Sequence, residues 1–244
     1  MRIDLQDKIA LVTGSAHRVG KAIALELAAH GVHQVIHYFQ SESNAIQTEQ
    51  ELQHLGVKTM RIGADLSDPE QIMALFEAIR ARFGHLDILV NSASVFEKSS
   101  LPNISLDEWN RSLAVNLSAP MLCLQAAVHL MPEAGGMVVN ISDLNGLKGN
   151  PNRVSHSVAK AGLLMLTQMA ALSLAPRVRV NAIVPGPVLI SPDATANHWS
   201  QHGDRLPVKR TGTAEDVARA VVYLASEDFI TGEILTIDGG EHLL

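Results

Sequence analysis

Cysteine is almost absent from this chain. Cys123 stands alone, so an internal disulfide and a zinc site built on cysteine pairs are both excluded. Its neighbours, Met121, Leu122 and Leu124, are apolar, and the thiol is expected to be buried and inert. Aromatic residues are also scarce, at 4% of the sequence with only two tyrosines, so any core must be aliphatic. Charge is thin and contains no long basic run: 19 basic residues face 25 acidic ones, for a formal net charge of −6. That balance argues against nucleic acid or an anionic membrane as the main partner. The first eight residues place Asp4 and Asp7 where a secretory leader needs apolar side chains, and no run approaches the length of a membrane span. A soluble, cytoplasmic protein with a small-molecule partner is the expectation.

What the chain does have is aliphatic material, 47% hydrophobic residues over 244 positions, in amounts that suit one α/β domain. Short apolar runs alternate with longer helix-periodic segments, the pattern of βαβ units. Strands are predicted at 9–12, 34–39, 58–64, 86–90, 136–141, 178–184 and 234–237. Helices are predicted at 19–30, 43–55, from a Ser67/Glu70 capping box to Gly84, from a Ser105/Glu108 box toward His129, over 155–174, and from Thr213/Asp216 to about Ala225. These elements describe a single domain over 1–244, a doubly wound parallel sheet of about seven strands with helices on both faces. Residues 191–205 are polar and weakly periodic and read as a loop, part of a substrate lid around 188–212. In such sheets ligands sit beyond the carboxyl ends of the strands, at the switch point.

After the first predicted strand comes Thr13-Gly14-Ser15-Ala16-His17-Arg18-Val19-Gly20. Glycines at a strand-to-helix turn let the backbone approach a pyrophosphate, which then sits on a helix N-terminus. The segment resembles the Thr-Gly-x-x-x-Gly-x-Gly turn of the short-chain dehydrogenase/reductase family, a Rossmann fold, with Arg18 in place of the middle glycine. That departure resembles the pteridine reductase branch. A guanidinium there offers forked donors to a 2′-phosphate. The second strand ends in His37-Tyr38-Phe39-Gln40-Ser41, without the acid that NAD-preferring sites use on the ribose 2′-hydroxyl. It is similar to the His-Tyr-x-x-Ser stretch of pteridine reductases, which implies NADP(H) and roles for His37, Tyr38 and Ser41 near the 2′-phosphate. By the same resemblance Asp65 and Leu66 flank adenine, and Asn91, Ser92 and Ala93 run along the cofactor. Asn116 anchors a helix bend and its water, and Pro185-Gly186 turns beside the nicotinamide.

The family's reaction uses Tyr-x-x-x-Lys on one helical face. Here Lys160 is preceded at that spacing by His156, and neither Tyr38 nor Tyr223 stands where it could replace the tyrosine. Thirteen residues before His156 (156 − 143), where the family carries a serine, stands Asp143, as in pteridine reductases. Ser142, one place short, is expected to point elsewhere. Ser94 and Phe96 fall where pteridine reductases contact and stack on the pterin.

An imidazole starts from a pKa of about 6.5, against about 10 for tyrosine. Lys160 and an oxidised nicotinamide would lower it, while an ionised Asp143 would raise it. Three outcomes stay open. His156 with Asp143 donates the proton, which is the working reading. Alternatively, Asp143 or a water donates and His156 positions. In the third, the chain binds NADP(H) without efficient turnover. The implied activity is reduction of a small planar heterocycle such as a dihydropterin or dihydrofolate, with a general carbonyl or 3-ketoacyl reductase and a non-catalytic NADP(H)-binding protein as rivals. His198 and His202 share a four-residue spacing but lack a third ligand, so they read as solvated loop residues and no metal is expected. The Ala-, Leu- and Met-rich helices imply, by the resemblance, a homodimer or homotetramer.

Overall fold

The computed structural model describes residues 2–190 and 196–244, with backbone alone for 196–198. Seven parallel strands form one sheet in the order β3-β2-β1-β4-β5-β6-β7. They are β1 (Ile9–Val12), β2 (His33–Tyr38), β3 (Thr59–Gly63), β4 (Ile88–Asn91), β5 (Gly136–Ile141), β6 (Val178–Pro185) and β7 (Ile234–Ile237). The helices are α1 (Arg18–Ala29), α2 (Glu42–His54), α3 (Pro69–Phe83), α4 (Leu106–Leu113), α5 (Ala119–Val128), α6 (Val154–Leu174), α7 (Ala196–Arg205) and α8 (Ala214–Ser226). β1 sits inside the sheet, with Leu11 opposite Val35 on one side and Leu89 on the other. The chain leaves β1 outward to β2 and β3, then returns to the opposite side as β4, so a crevice opens at the carboxyl ends of β1 and β4.

Period-2 alternation sends neighbouring strand residues to opposite layers. Val12, Ile36 and Val90 pack with Ile23 and Leu27 of α1 and Val217 and Val221 of α8. Leu11, Val35 and Leu89 pack with Ile72, Leu75 and Ile79 of α3 and with Cys123 and Ala127 of α5. Cys123 is fully buried, and desolvation pushes its thiol up to about 12, as expected for an inert core residue.

Five local expectations need correction. The cap of α3 is Asp68, which accepts the Glu70 N–H, while the Ser67 hydroxyl turns back to Asp65. The helix expected to run unbroken toward His129 is interrupted by a π-helical turn over Ala114–Ser118. The expected loop at 191–205 contains α7, and residues 191–195 lie outside the described ones. By length and composition α6 is apolar enough to cross a membrane. Its inner face nonetheless buries His156, Lys160 and Leu163 in this domain, so it is a core helix. Within α7, His202 is half-buried rather than solvated, with Nε2 3.2 Å from the Glu241 carboxylate; the side chain of His198 lies outside the described residues.

Candidate active site

A cavity of about 780 Å³ runs along the carboxyl ends of the strands, from Arg18, Gln40 and Ser41 to Phe96, Asp143 and His156. At its centre Gly14 turns with φ +68, a conformation glycine adopts freely. A Cβ on Gly20 would lie 2.4 Å from the Gly14 carbonyl oxygen, so the turn and α1 can meet only at glycine. The amino end of α1 has no side-chain cap and no acid in its first turn. Its unsatisfied N–H groups and dipole therefore suit an anion, which fits a dinucleotide pyrophosphate. Arg18, exposed at the rim, has φ 57, the left-handed region. The Ser41 hydroxyl makes no capping bond to α2. Glu42, the nearest acid, instead receives Tyr38 Oη and Arg61. The end of β2 thus offers a cation and hydroxyls rather than a carboxylate.

Two residues expected at the cofactor have other work. Both ring nitrogens of His37 are taken by backbone: Nδ1 accepts the Gly14 N–H at 3.0 Å, and Nε2 lies 3.0 Å from the Ala64 carbonyl. Asn91 is buried and donates from Nδ2 to Asn140 Oδ1 at 2.9 Å, while Asn140 Nδ2 donates to Thr167. It ties β4 and β5 to α6 and does not line the cavity. Ser92, Ala93, Asp65, Leu66, Val19, Pro185 and Gly186 do line it. Thr13, which sequence reasoning left without a role, accepts the N–H groups of both Ser92 and Ala93. It clamps the loop after β4 to the loop after β1.

At the other end Asn116 sits fully buried in the π-helical turn. Its Oδ1 accepts Ser94 Oγ at 2.7 Å and Val95 N at 3.2 Å, and its Nδ2 donates to the Val95 carbonyl at 3.0 Å. The helix bend and the substrate loop are therefore one unit. Asp143 and His156, set thirteen residues apart, meet with Nε2 against Oδ2. His156 Nδ1 lies 3.0 Å from the Val95 carbonyl. A carbonyl only accepts, so Nδ1 carries a hydrogen, and a proton must also lie between Nε2 and the carboxylate. The histidine side chain is 1% exposed and that of Asp143 24%. Burial alone would raise the Asp143 pKa. The bond and charge of His156, with Lys160 and the Asn145 N–H, outweigh it and hold the carboxyl below its ordinary range.

Lys160 is buried on the same face of α6 and donates to the Ile141 carbonyl at 2.8 Å. Desolvation pulls its pKa down to about 8 against the opposing charge of Asp143. Ser142 points away, donating to the Lys160 carbonyl. Phe96 stands edge-on to His156, ring centres 4.8 Å apart, and the Arg153 guanidinium lies 3.5 Å from its ring centre. A flat ligand can stack only on the face that Arg153 leaves open. Neither Val95, whose contribution is a carbonyl, nor Arg153 carried a signal in the sequence.

A family profile described as enoyl-(acyl carrier protein) reductase matches residues 14–242. The 3-oxoacyl-[acyl-carrier-protein] reductase of Staphylococcus aureus is 32% identical over 97% of this chain and 98% of its own length. Among solved structures, the FolM alternative dihydrofolate reductase 1 from Brucella canis, complexed with NADP, superposes with a TM-score of 0.93 at 33% identity, covering 99% of this chain and 96% of that one. A Serratia marcescens short-chain dehydrogenase/reductase mutant superposes at 0.91 with 32% identity, over 98% and 100%.

Proposed function

Because the chain belongs to the short-chain dehydrogenase/reductase family, we propose that it is an NADPH-dependent reductase of a small planar heterocycle, with a dihydropterin or dihydrofolate as first candidates. The observation that carries this reading is the Asp143–His156 pair holding one proton at the cavity wall beside Lys160. The complex of the Brucella canis reductase with NADP supports the cofactor, as do the uncapped amino end of α1 and the acid-free end of β2.

Bound NADPH supplies the hydride. The chain then has to bind, orient and deliver a proton. Arg18 and Ser41 would hold the 2′-phosphate, the amino end of α1 the pyrophosphate, and Pro185-Gly186 the nicotinamide side. Lys160 spends one hydrogen on Ile141 and keeps two for the ribose. Phe96 and Ser94 frame the substrate. Both nitrogens of His156 are engaged and its ring is buried, so Asp143 is the member of the pair that reaches the ligand. The working sequence reading, in which the imidazole itself donates to the ligand, is replaced by a relay: the ionised Asp143 takes the proton that His156 shares with it and passes it to the ligand, leaving the imidazole neutral. Val188 and Leu189 close the substrate end, and the described residues 196–212 serve with them as the lid. The exposed stripe Val158, Met165, Met169 and Leu172 on α6 is where self-association is placed.

Reduction of a 3-oxoacyl thioester is the second reading, favoured by the Staphylococcus aureus relative. The test is NADPH oxidation with dihydrobiopterin, dihydrofolate and a 3-oxoacyl thioester, on wild type, Asp143→Asn and His156→Gln. Pterin or folate turnover that falls as pH rises is expected. Asp143→Asn should lower kcat by about 10²–10⁴-fold, the range of a general acid, and His156→Gln by less. Thioester turnover alone would move the assignment to the second reading. An Asp143→Asn enzyme as fast as wild type would remove the carboxyl from the chemistry.

A further inference from the structure

His37 is 2% exposed at the end of β2, and four hydrogen bonds converge on it. Its ring accepts from Gly14 N and faces the Ala64 carbonyl, each at 3.0 Å. Its backbone N–H donates to Ser15 Oγ at 3.2 Å, and its carbonyl accepts Ser15 N at 3.0 Å. The Ala64 oxygen can only accept, so Nε2 carries the hydrogen and Nδ1 the lone pair, which is the neutral ring. Burial favours that form and draws the pKa down to about 4, against the Ala64 bond and the Asp65 charge. With both nitrogens occupied, the side chain has no donor left for a phosphate.

We propose that His37 is a positioning residue that latches the turn after β1 to the loop after β3, setting both halves of the adenosine site from the cavity wall with no ring nitrogen left to bond the dinucleotide. The Gly14 amide is the hinge of the glycine turn, so fixing its plane fixes the direction of the N–H groups that follow it toward α1. Ala64 precedes Asp65 and Leu66, so the same ring sets the loop that lines the adenine end. A two-point brace of this kind acts on everything the two loops hold in common. The pyrophosphate and the adenine are shared by NADPH and NADH, whereas the 2′-phosphate belongs to NADPH alone. A latch therefore affects both cofactors equally, and a phosphate ligand would affect only one.

The inference rests on the NADP(H) reading above. Dissociation constants for NADPH and NADH, read from the fluorescence of the reduced nicotinamide, separate the two roles. They would be measured on wild type, His37→Leu, His37→Asn and His37→Gln, with circular dichroism and Tm to establish folding. His37→Leu is expected to weaken both cofactors by the same factor, about tenfold for the loss of a hydrogen-bonded brace. Asn can place an acceptor near Nδ1 and Gln a donor near Nε2, so each should recover part of that loss for both cofactors alike. If the leucine variant does not fold, the equal weakening in the Asn and Gln variants carries the comparison. Loss confined to NADPH would make His37 a direct phosphate ligand and overturn the latch. Unchanged binding in the folded variants would overturn it as well. Wild type that binds neither cofactor would instead remove the NADP(H) reading, and the latch with it.

Discussion

Arg18 occupies a backbone conformation that its side chain resists. At φ 57 an L-residue other than glycine is held against its Cβ contacts, a penalty of about 1–2 kcal/mol. Glycine is the family's residue at this place, so the guanidinium is kept at the expense of backbone ease. Arg18→Gly is expected to raise stability by about 1 kcal/mol in urea unfolding while weakening NADPH more than NADH. A variant that is both more stable and equally selective would separate Arg18 from the 2′-phosphate. At this scale the sequence is legible where chemistry depends on spacing. The family resemblance singles out Asp143 and His156, and the path from the end of β5 to the first turn of α6 brings them into contact. It is least legible where a side chain's partner is a backbone group. His37 sits in a motif at the cofactor edge, but its ring accepts the Gly14 N–H and donates to the Ala64 carbonyl, and no pattern of residue types reveals that.

The elements repeat this lesson. Periodicity locates β1 and β5 to the residue, because nearly every residue of a buried parallel strand is apolar. The cap of α3 was misread by one position although Pro69 marks it. Proline favours the first helical residue, which makes Asp68 the cap. The π-helical turn was invisible because its sequence, Ala114-Val115-Asn116-Leu117-Ser118, is ordinary helix material. It holds the extra residue that aims Asn116 at the Ser94–Val95 loop. Asn116→Ala would strand the polar groups of that loop, and a destabilisation of about 2–3 kcal/mol is expected from thermal or urea unfolding. Because Val95 also receives His156, kcat should fall with it; a variant of unchanged kcat would detach the turn from the catalytic end. At the amino end of α4, Ser105 accepts the Glu108 N–H while the Glu108 carboxylate takes the Ser105 N–H. Ser105→Ala should cost about 1 kcal/mol with activity preserved.

For the molecule as a whole, the buried ionisable groups set how stability follows pH. His37 titrates near 4 when folded and 6.5 otherwise, so between those values the unfolded chain binds more protons and stability rises with pH. Asp143 acts in the same direction lower down: its depressed pKa contributes stability above the ordinary carboxylate range, lost as pH falls through the folded value. Lys160, near 8 when folded against 10.5, gives a second rise toward alkaline pH, because the folded chain releases that proton first. Urea midpoints measured from about pH 4 to 7 should climb, by up to about 3 kcal/mol from His37, and the climb should flatten in His37→Asn. A flat wild-type profile would mean that the ring is not held neutral. The strand order carries a consequence for how the chain is made. Ala10 and Ile88 are neighbours across the centre of the sheet although 78 residues separate them (88 − 10), and β7 is the last strand to leave the ribosome. At a synthesis rate of about 5–20 residues per second, the adenosine half emerges several seconds before Pro185-Gly186, and it waits longer still for α8, whose Val217 and Val221 complete the layer over α1.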